Sequence, residues 1–164
     1  MKKPPFTVPK RLFTLVFVFL LFAGMSRATI ATEYYWTNSL SGLFSDPTNW
    51  SPNGIPADSD SLTFTNAGAY LLTIDTNATN STASFHEGTV IQSIAGAWRL
   101  TDAWQVGETA GSTSRVAVVD GSLIVTNEAG DGVLSVGRIG TGELELRGGR
   151  VVADTLLATG GSRS

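Results

Sequence analysis

The chain contains no cysteine, which excludes disulfides, zinc–thiolate centres and cysteine nucleophiles together. It has a single histidine, His86, so a catalytic pair of histidines is excluded as well. Lysine is confined to Lys2, Lys3 and Lys10. Five of the 11 basic residues (those three, Arg11 and Arg27) precede Ala28, and no acid does. The remainder therefore sets 6 arginines against all 14 acids, a net charge of −8. A surface of that sign repels phosphate backbones, so nucleic acid is not an expected partner. No phosphate-cradling loop is present either. Gly137-Arg-Ile-Gly140-Thr-Gly142 is glycine-rich, but it lies between strand patterns with no helix to follow. Calcium loops of the helix–loop–helix or glycine–aspartate repeat type are missing too. Past Ala23, no apolar run approaches the roughly 18–20 residues that span a bilayer.

The segment from Met1 to Ala28 has a layout of its own. Basic residues up to Arg11 precede the apolar run Leu12–Ala23, and small residues follow. Ser26 and Ala28 stand at −3 and −1 of a cleavage site after Ala28; Thr29 and Ala31 offer a second one. This is the three-part pattern of a secretory signal peptide. Residues 1–28 are therefore expected to be removed on export, leaving Thr29 or Thr32 as the mature N-terminus. The mature protein is then secreted or held at the cell surface.

What the rest of the chain has in plenty is glycine, 18 in all, punctuating short alternating strands. Asp60–Thr65, Ala69–Ile74, Thr89–Ile94 and Trp98–Thr101 alternate apolar and polar side chains, as half-buried strands do. Asp75–Ser84 is a polar Asn/Thr/Ser run and reads as a loop. Ser45-Asp-Pro47 and Pro52-Asn-Gly54 read as turns. From Val106 the pattern nearly repeats. The pairs Val106-Gly107 and Val136-Gly137 lie 30 positions apart, and the turn glycines Gly121 and Gly149 lie 28 apart. A near-period of that size points to stacked repeats. Alternation sends Leu123, Val125, Leu134, Val136, Leu144 and Leu146 inward, with Glu143, Glu145 and Arg147 outside. Two inward side chains contribute ~3–6 kcal/mol, and ordering a strand of that length costs about as much. One coil is near zero alone and needs neighbours. The expected fold is all-β, a parallel β-helix (β-solenoid). Residues 29–100 form an aromatic-rich N-terminal β cap and 101–164 the repeats. The rival is a meander of hairpins turning at Asp120-Gly121 and Gly148-Gly149.

One family resemblance rests on quoted residues. Trp36…Gly42…Phe44-Ser-Asp-Pro47…Asn49-Trp-Ser51…Pro56…Asp60…Phe64, and later Val136-Gly137…Gly140-Thr-Gly142-Glu-Leu-Glu-Leu146…Gly148-Gly-Arg-Val151, resemble secreted bacterial proteins with autotransporter-associated β-strand repeats. The resemblance implies a solenoid passenger and a membrane link only through a C-terminal barrel or sorting segment. No such segment is visible in this sequence, so an N-terminal fragment is expected.

Candidate chemistry is sparse. Trp36 and Trp50, in an aromatic group with Tyr34, Tyr35 and Phe44, could stack on an extracellular glycan, although packing in a cap or core explains them better. His86 beside Glu87, the aspartates Asp46, Asp58, Asp60 and Asp75, and the pair Glu143/Glu145 near Arg147 and Arg150 complete the inventory. None has the spacing of a catalytic or metal-ligating group, and no cofactor is implied. Asn49, Asn77 and Asn80 match the glycosylation acceptor pattern, which means little in a bacterial host. Two functions follow. The first is an exported non-enzymatic scaffold or adhesion protein with a glycan or other cell-surface partner. The second is part of a secreted polysaccharide-active β-helix enzyme whose site lies in further coils.

Overall fold

The computed structural model describes residues 30–159. The expected signal segment, residues 1–28, lies outside them. The described residues form an all-β structure whose strands pair almost entirely in parallel. In chain order they are β1 (Glu33–Trp36), β2 (Ser41–Leu43), β3 (Trp50–Ser51), β4 (Ser61–Phe64), β5 (Ala69–Ile74), β6 (Ala78–Phe85) and β7 (Gly88–Ile94). Then come β8 (Ala97–Val106), β9 (Thr113–Val118), β10 (Ser122–Val125), β11 (Val133–Val136), β12 (Thr141–Leu146), β13 (Arg150–Ala153) and β14 (Thr155–Ala158).

Three ladders result, and the chain visits them in rotation. The first joins β1, β4, the second half of β6, the second half of β8, β11 and β14. The second joins β2, β5, β7, β9 and β12. The third joins the first halves of β6 and β8 to β10 and β13. A register shift between Asn80 and Thr82 lets β6 pass from the third ladder to the first without a loop. Along the first ladder Tyr34, Leu62, Ala83, Trp104, Leu134 and Leu156 stand in successive register, each one closing a circuit begun by the one before.

Because the pairing is in register, equivalent residues stack on one face and build a continuous interior. One inward row runs Trp36, Phe64, Phe85, Val106 and Val136, tapering from aromatic to aliphatic. The rings of Phe64 and Phe85 stack with centroids 4.4 Å apart. Fully burying side chains of this size stabilises by about 1.5–3 kcal/mol each, which offsets the ordering cost that a lone strand cannot meet.

The expected inward residues Leu123, Val125 and Leu134 are buried, and Val136 and Leu144 pack against the core from partly buried positions. Leu146 is a correction. It stands in register with the buried Val118, yet it is 54% exposed, because β12 is the last strand of its ladder among the described residues. The expected pairings of repeats are seen as register partners, Val136 on Val106 and Ser122 on Arg150 just after the two turn glycines. The Val-Gly spacing is not general, however, because the circuits that close at Ala83, Trp104 and Leu156 are shorter. The longer ones carry insertions: residues 44–60 fold back over one end, and residues 126–132 bulge from a corner.

The rival arrangement is excluded, and two further expectations are corrected. Hairpins at Asp120-Gly121 and Gly148-Gly149 are ruled out, since the flanking strands lie in different ladders and pair in parallel. Those glycines instead form a stacked corner with φ of 68° at Gly121 and 72° at Gly149. A Cβ at Gly121 would overlap the Ile94 carbonyl, and one at Gly149 would meet Gly121. The polar run 75–84 is largely strand β6, held between β4 and β8. Tertiary pairing overrides its turn-like composition. The boundary expected after residue 100 falls inside β8. The ladders cross it without a break and begin at Glu33.

Residues 44–60 lie over the end of the stack formed by β1. Residues 44–60 include a single 3-10 turn, Pro47–Asn49, begun by Asp46, whose carboxylate accepts from the Thr48 amide. β3 then runs antiparallel along the outer edge of β1. Trp50 closes the end of the core, its ring 5.0 Å from that of Trp36 and 5.3 Å from that of Phe44.

Candidate functional site

Trp36 and Trp50 lie inside this plug. Each is 2% exposed, and the Trp50 indole donates to the Phe44 carbonyl at 2.9 Å. Their rings pack against Phe64, Tyr70 and one another, so neither indole offers a face for a sugar to stack on. Of the two explanations weighed for these residues, core packing accounts for both positions. Asn49 and Asn80 of the acceptor motifs are also buried. Asn49 donates to the Leu43 carbonyl. Asn80 accepts from the Trp98 indole and donates to the Ala57 carbonyl.

His86 sits at the corner after β6, with Nδ1 2.7 Å from the Thr109 hydroxyl of the next circuit. Glu87 does not join that contact. The aspartates are spread along the stack and serve its backbone. Asp60 accepts the amides of Thr32 and Ala57, and Asp75 the amide and hydroxyl of Ser45. Asp120 accepts the Ile94 amide and Asp154 those of Asn127 and Gly132. All but the Ala57 bond tie one circuit to another, which is why acids at corners recur in this sequence. At Asp75, burial works against the charge, but the Ser45 hydroxyl and backbone amides prevail and hold its carboxyl below the ordinary range. Asp46 is likewise lowered, by the Thr48 hydroxyl and amide.

The densest charged cluster lies on the outer face of the second ladder. Arg115 donates to Glu145 at 2.7 Å and stands 3.5 Å from Glu143, while Arg147 is 2.9 Å from Glu145. In-register pairing places Arg115 beside Glu143, with Glu145 two positions along on the same face. Arg147 and then Arg115 hold the Glu145 carboxyl down to about 2, and the pairing raises Arg147 in turn. This chemistry runs opposite to that of a glycosidic general acid, which needs a carboxyl raised toward neutrality. Arg150, expected near this cluster, begins β13 in a different ladder and aligns with Ser122.

Two buried groups escaped sequence reasoning. Glu108, at the corner after β8, has a side chain only 6% exposed; it accepts from Ser135 and pairs with Arg138 at 3.0 Å. The Glu108…Arg138 spacing of 30 matches the Val-Gly spacing and could have signalled it. Gln92 is inward-facing, between Leu72 and Val118 in register. It is fully buried, and neither amide atom has a hydrogen-bond partner among the described residues. Strict alternation along Val90, Gln92 and Ile94 marks it as inward, but its polarity argues the other way.

Among the described residues there is no group of three or more His, Cys, Asp or Glu side chains placed to hold a metal ion, and no helix long and apolar enough to cross a membrane. Comparison of the chain with protein-family models, with curated proteins and with solved structures returned no match.

Proposed function

We propose that the chain is an exported, non-enzymatic parallel β-helix, a β-solenoid acting as a scaffold or adhesive surface outside the cell or on it. The observation that carries this reading is the rotation of one chain through three parallel, in-register ladders, an arrangement built for extended surface. The layout of residues 1–28 supports export, and the resemblance to autotransporter-associated β-strand repeats points the same way. Asp60, Asp75, Asp120 and Glu145 support a scaffold, since each is engaged with backbone amides or arginines in fixed pairs. A glycan or cell-surface partner would meet the outer side chains of the ladders. The row Leu71 and Ile91, flanked by Leu43, Thr73 and Ser93 on the second ladder, is the most apolar of these.

N-terminal sequencing of the exported protein tests the first half, with Thr29 or Thr32 expected. A retained Leu12–Ala23 segment would overturn it. A screen of acidic and neutral polysaccharides for new reducing ends or unsaturated uronates tests the second half. No turnover is expected, and activity abolished by Glu143→Gln or Glu145→Gln would replace the scaffold reading with an enzyme.

A further inference from the structure

The outer faces of the three ladders differ in charge. The second carries Arg115, Glu143, Glu145 and Arg147, and the third carries Arg99 and Arg150. The first is nearly free of charge. Alternation turns Tyr35, Thr63, Ser84 and Gln105 outward, and register sets them in one row along the stack. Glu33, Ser61, Thr82 and Ala103 form the row beside it. Glu33 is the one charged side chain in the two rows, and it accepts from the Thr63 hydroxyl at 3.1 Å. Ser84 donates to the Gln105 side-chain carbonyl at 3.0 Å, which leaves the Gln105 amide nitrogen as a donor. Each of β1, β4, β6 and β8 has a strand on both sides. The face closes at the next circuit, where Ser135 donates to Glu108 and is 1% exposed. Of the aromatics Tyr34, Tyr35, Trp36, Phe44 and Trp50, Tyr35 alone stands in solvent, 42% exposed.

We propose that this face binds a neutral, extended β-1,4-linked glycan lying along the stack, with Tyr35 as its aromatic platform. The inference rests on the adhesive reading above and names its face and ligand class. Strands in a ladder stand about 4.7–4.9 Å apart, close to the advance per sugar of such a chain, so successive circuits meet successive rings. A sugar ring joins an apolar face to a rim of hydroxyls. Tyr35 offers a flat apolar partner for the face, and the serine, threonine and glutamine side chains offer donors and acceptors for the rim. Covering uncharged groups that regain hydrogen bonds costs far less than covering ions, which is what the other two faces would require. An anionic chain such as a polyuronate would meet the field of a protein whose residues after Ala28 carry a net charge of −8.

Isothermal titration of the processed protein with cellohexaose and with mannohexaose tests the proposal, and hexagalacturonate supplies the charged contrast. Binding of a neutral hexaose and none of hexagalacturonate is expected. Tyr35→Ala should weaken that binding roughly tenfold. Ser84→Glu, which sets a charge in the middle of the face, should weaken it further. Fluorescence of the buried tryptophans reports that both variants keep the fold. Ile124→Ala, on the outer face of the third ladder, should bind as the parent does. Binding lost in Leu71→Ala and kept in Tyr35→Ala would overturn the choice of face while leaving an adhesive protein. Preference for hexagalacturonate would overturn the ligand class. No binding of any of the three would overturn the proposal outright, and self-association abolished by Tyr35→Ala would then give the face to a second copy of the chain.

Discussion

Replacing Gln92 by methionine should make the protein more stable. Gln92 is 0% exposed, sits in an inward row between Leu72 and Val118, and leaves both amide atoms without a partner among the described residues. A buried amide of that kind costs about 1–3 kcal/mol relative to one that is hydrogen-bonded or solvated. Methionine is unbranched and close in shape, so it removes the penalty without forcing the neighbouring rows apart. The expected gain is therefore about 1–3 kcal/mol. With unfolding entropy of ~2.1 cal/mol/K per residue over the described stretch, 30–159, each kcal/mol raises Tm by roughly 4 °C. Thermal and urea unfolding of the two proteins measure it. Gln92→Glu supplies the contrast, since a lone charge at that position should cost several kcal/mol. A Gln92→Met protein destabilised by about 1 kcal/mol or more would refute the reasoning. It would show that the amide is satisfied in solution, by trapped water or by a rearranged neighbour.

Leu134→Ala, deep in the first ladder at 1% exposure, should cost about 2–5 kcal/mol, while Leu71→Ala, on the outer face, should change urea stability by ~0.5 kcal/mol or less. Gly121→Ala should destabilise by about 1–3 kcal/mol, because φ is 68° and the Ile94 carbonyl occupies the space for a Cβ. Gly68→Ala, with nothing within 4 Å and an ordinary φ, should be near neutral in the same thermal scan. Acid should weaken the fold in a defined window. Asp75 and Glu145 both have folded pKa values below their unfolded ones, so their contribution is complete above the unfolded pKa and is lost as pH falls through the folded value. Urea midpoints should drop between about pH 4.5 and pH 2, and Asp75→Asn should flatten the slope.

Strands and faces were legible from the residues because alternation is a local property. Ala69–Ile74 is a strand with the bounds that its pattern suggests, and Leu123, Val125 and Leu134 are interior as their spacing requires. The Val-Gly and turn-glycine spacings located true register partners, since the corners at Gly107 and Gly137 and at Gly121 and Gly149 all need positive φ. What sequence alone did not determine depends on neighbours that lie a full circuit away along the chain. The run 75–84 looks like a loop until β4 and β8 flank it and Asn80 finds the Trp98 indole. Trp36 and Trp50 have the chemistry of a sugar platform, and only the fold-back of residues 44–60 buries them. Glu143 and Glu145 read as a carboxylate pair, and only the parallel register brings Arg115 from the preceding circuit to their side. Leu146 has the same inward direction as Val118 and lacks only a strand above it. Direction is set by backbone geometry one residue at a time, whereas burial and ionisation are set by what the next circuit lays on top.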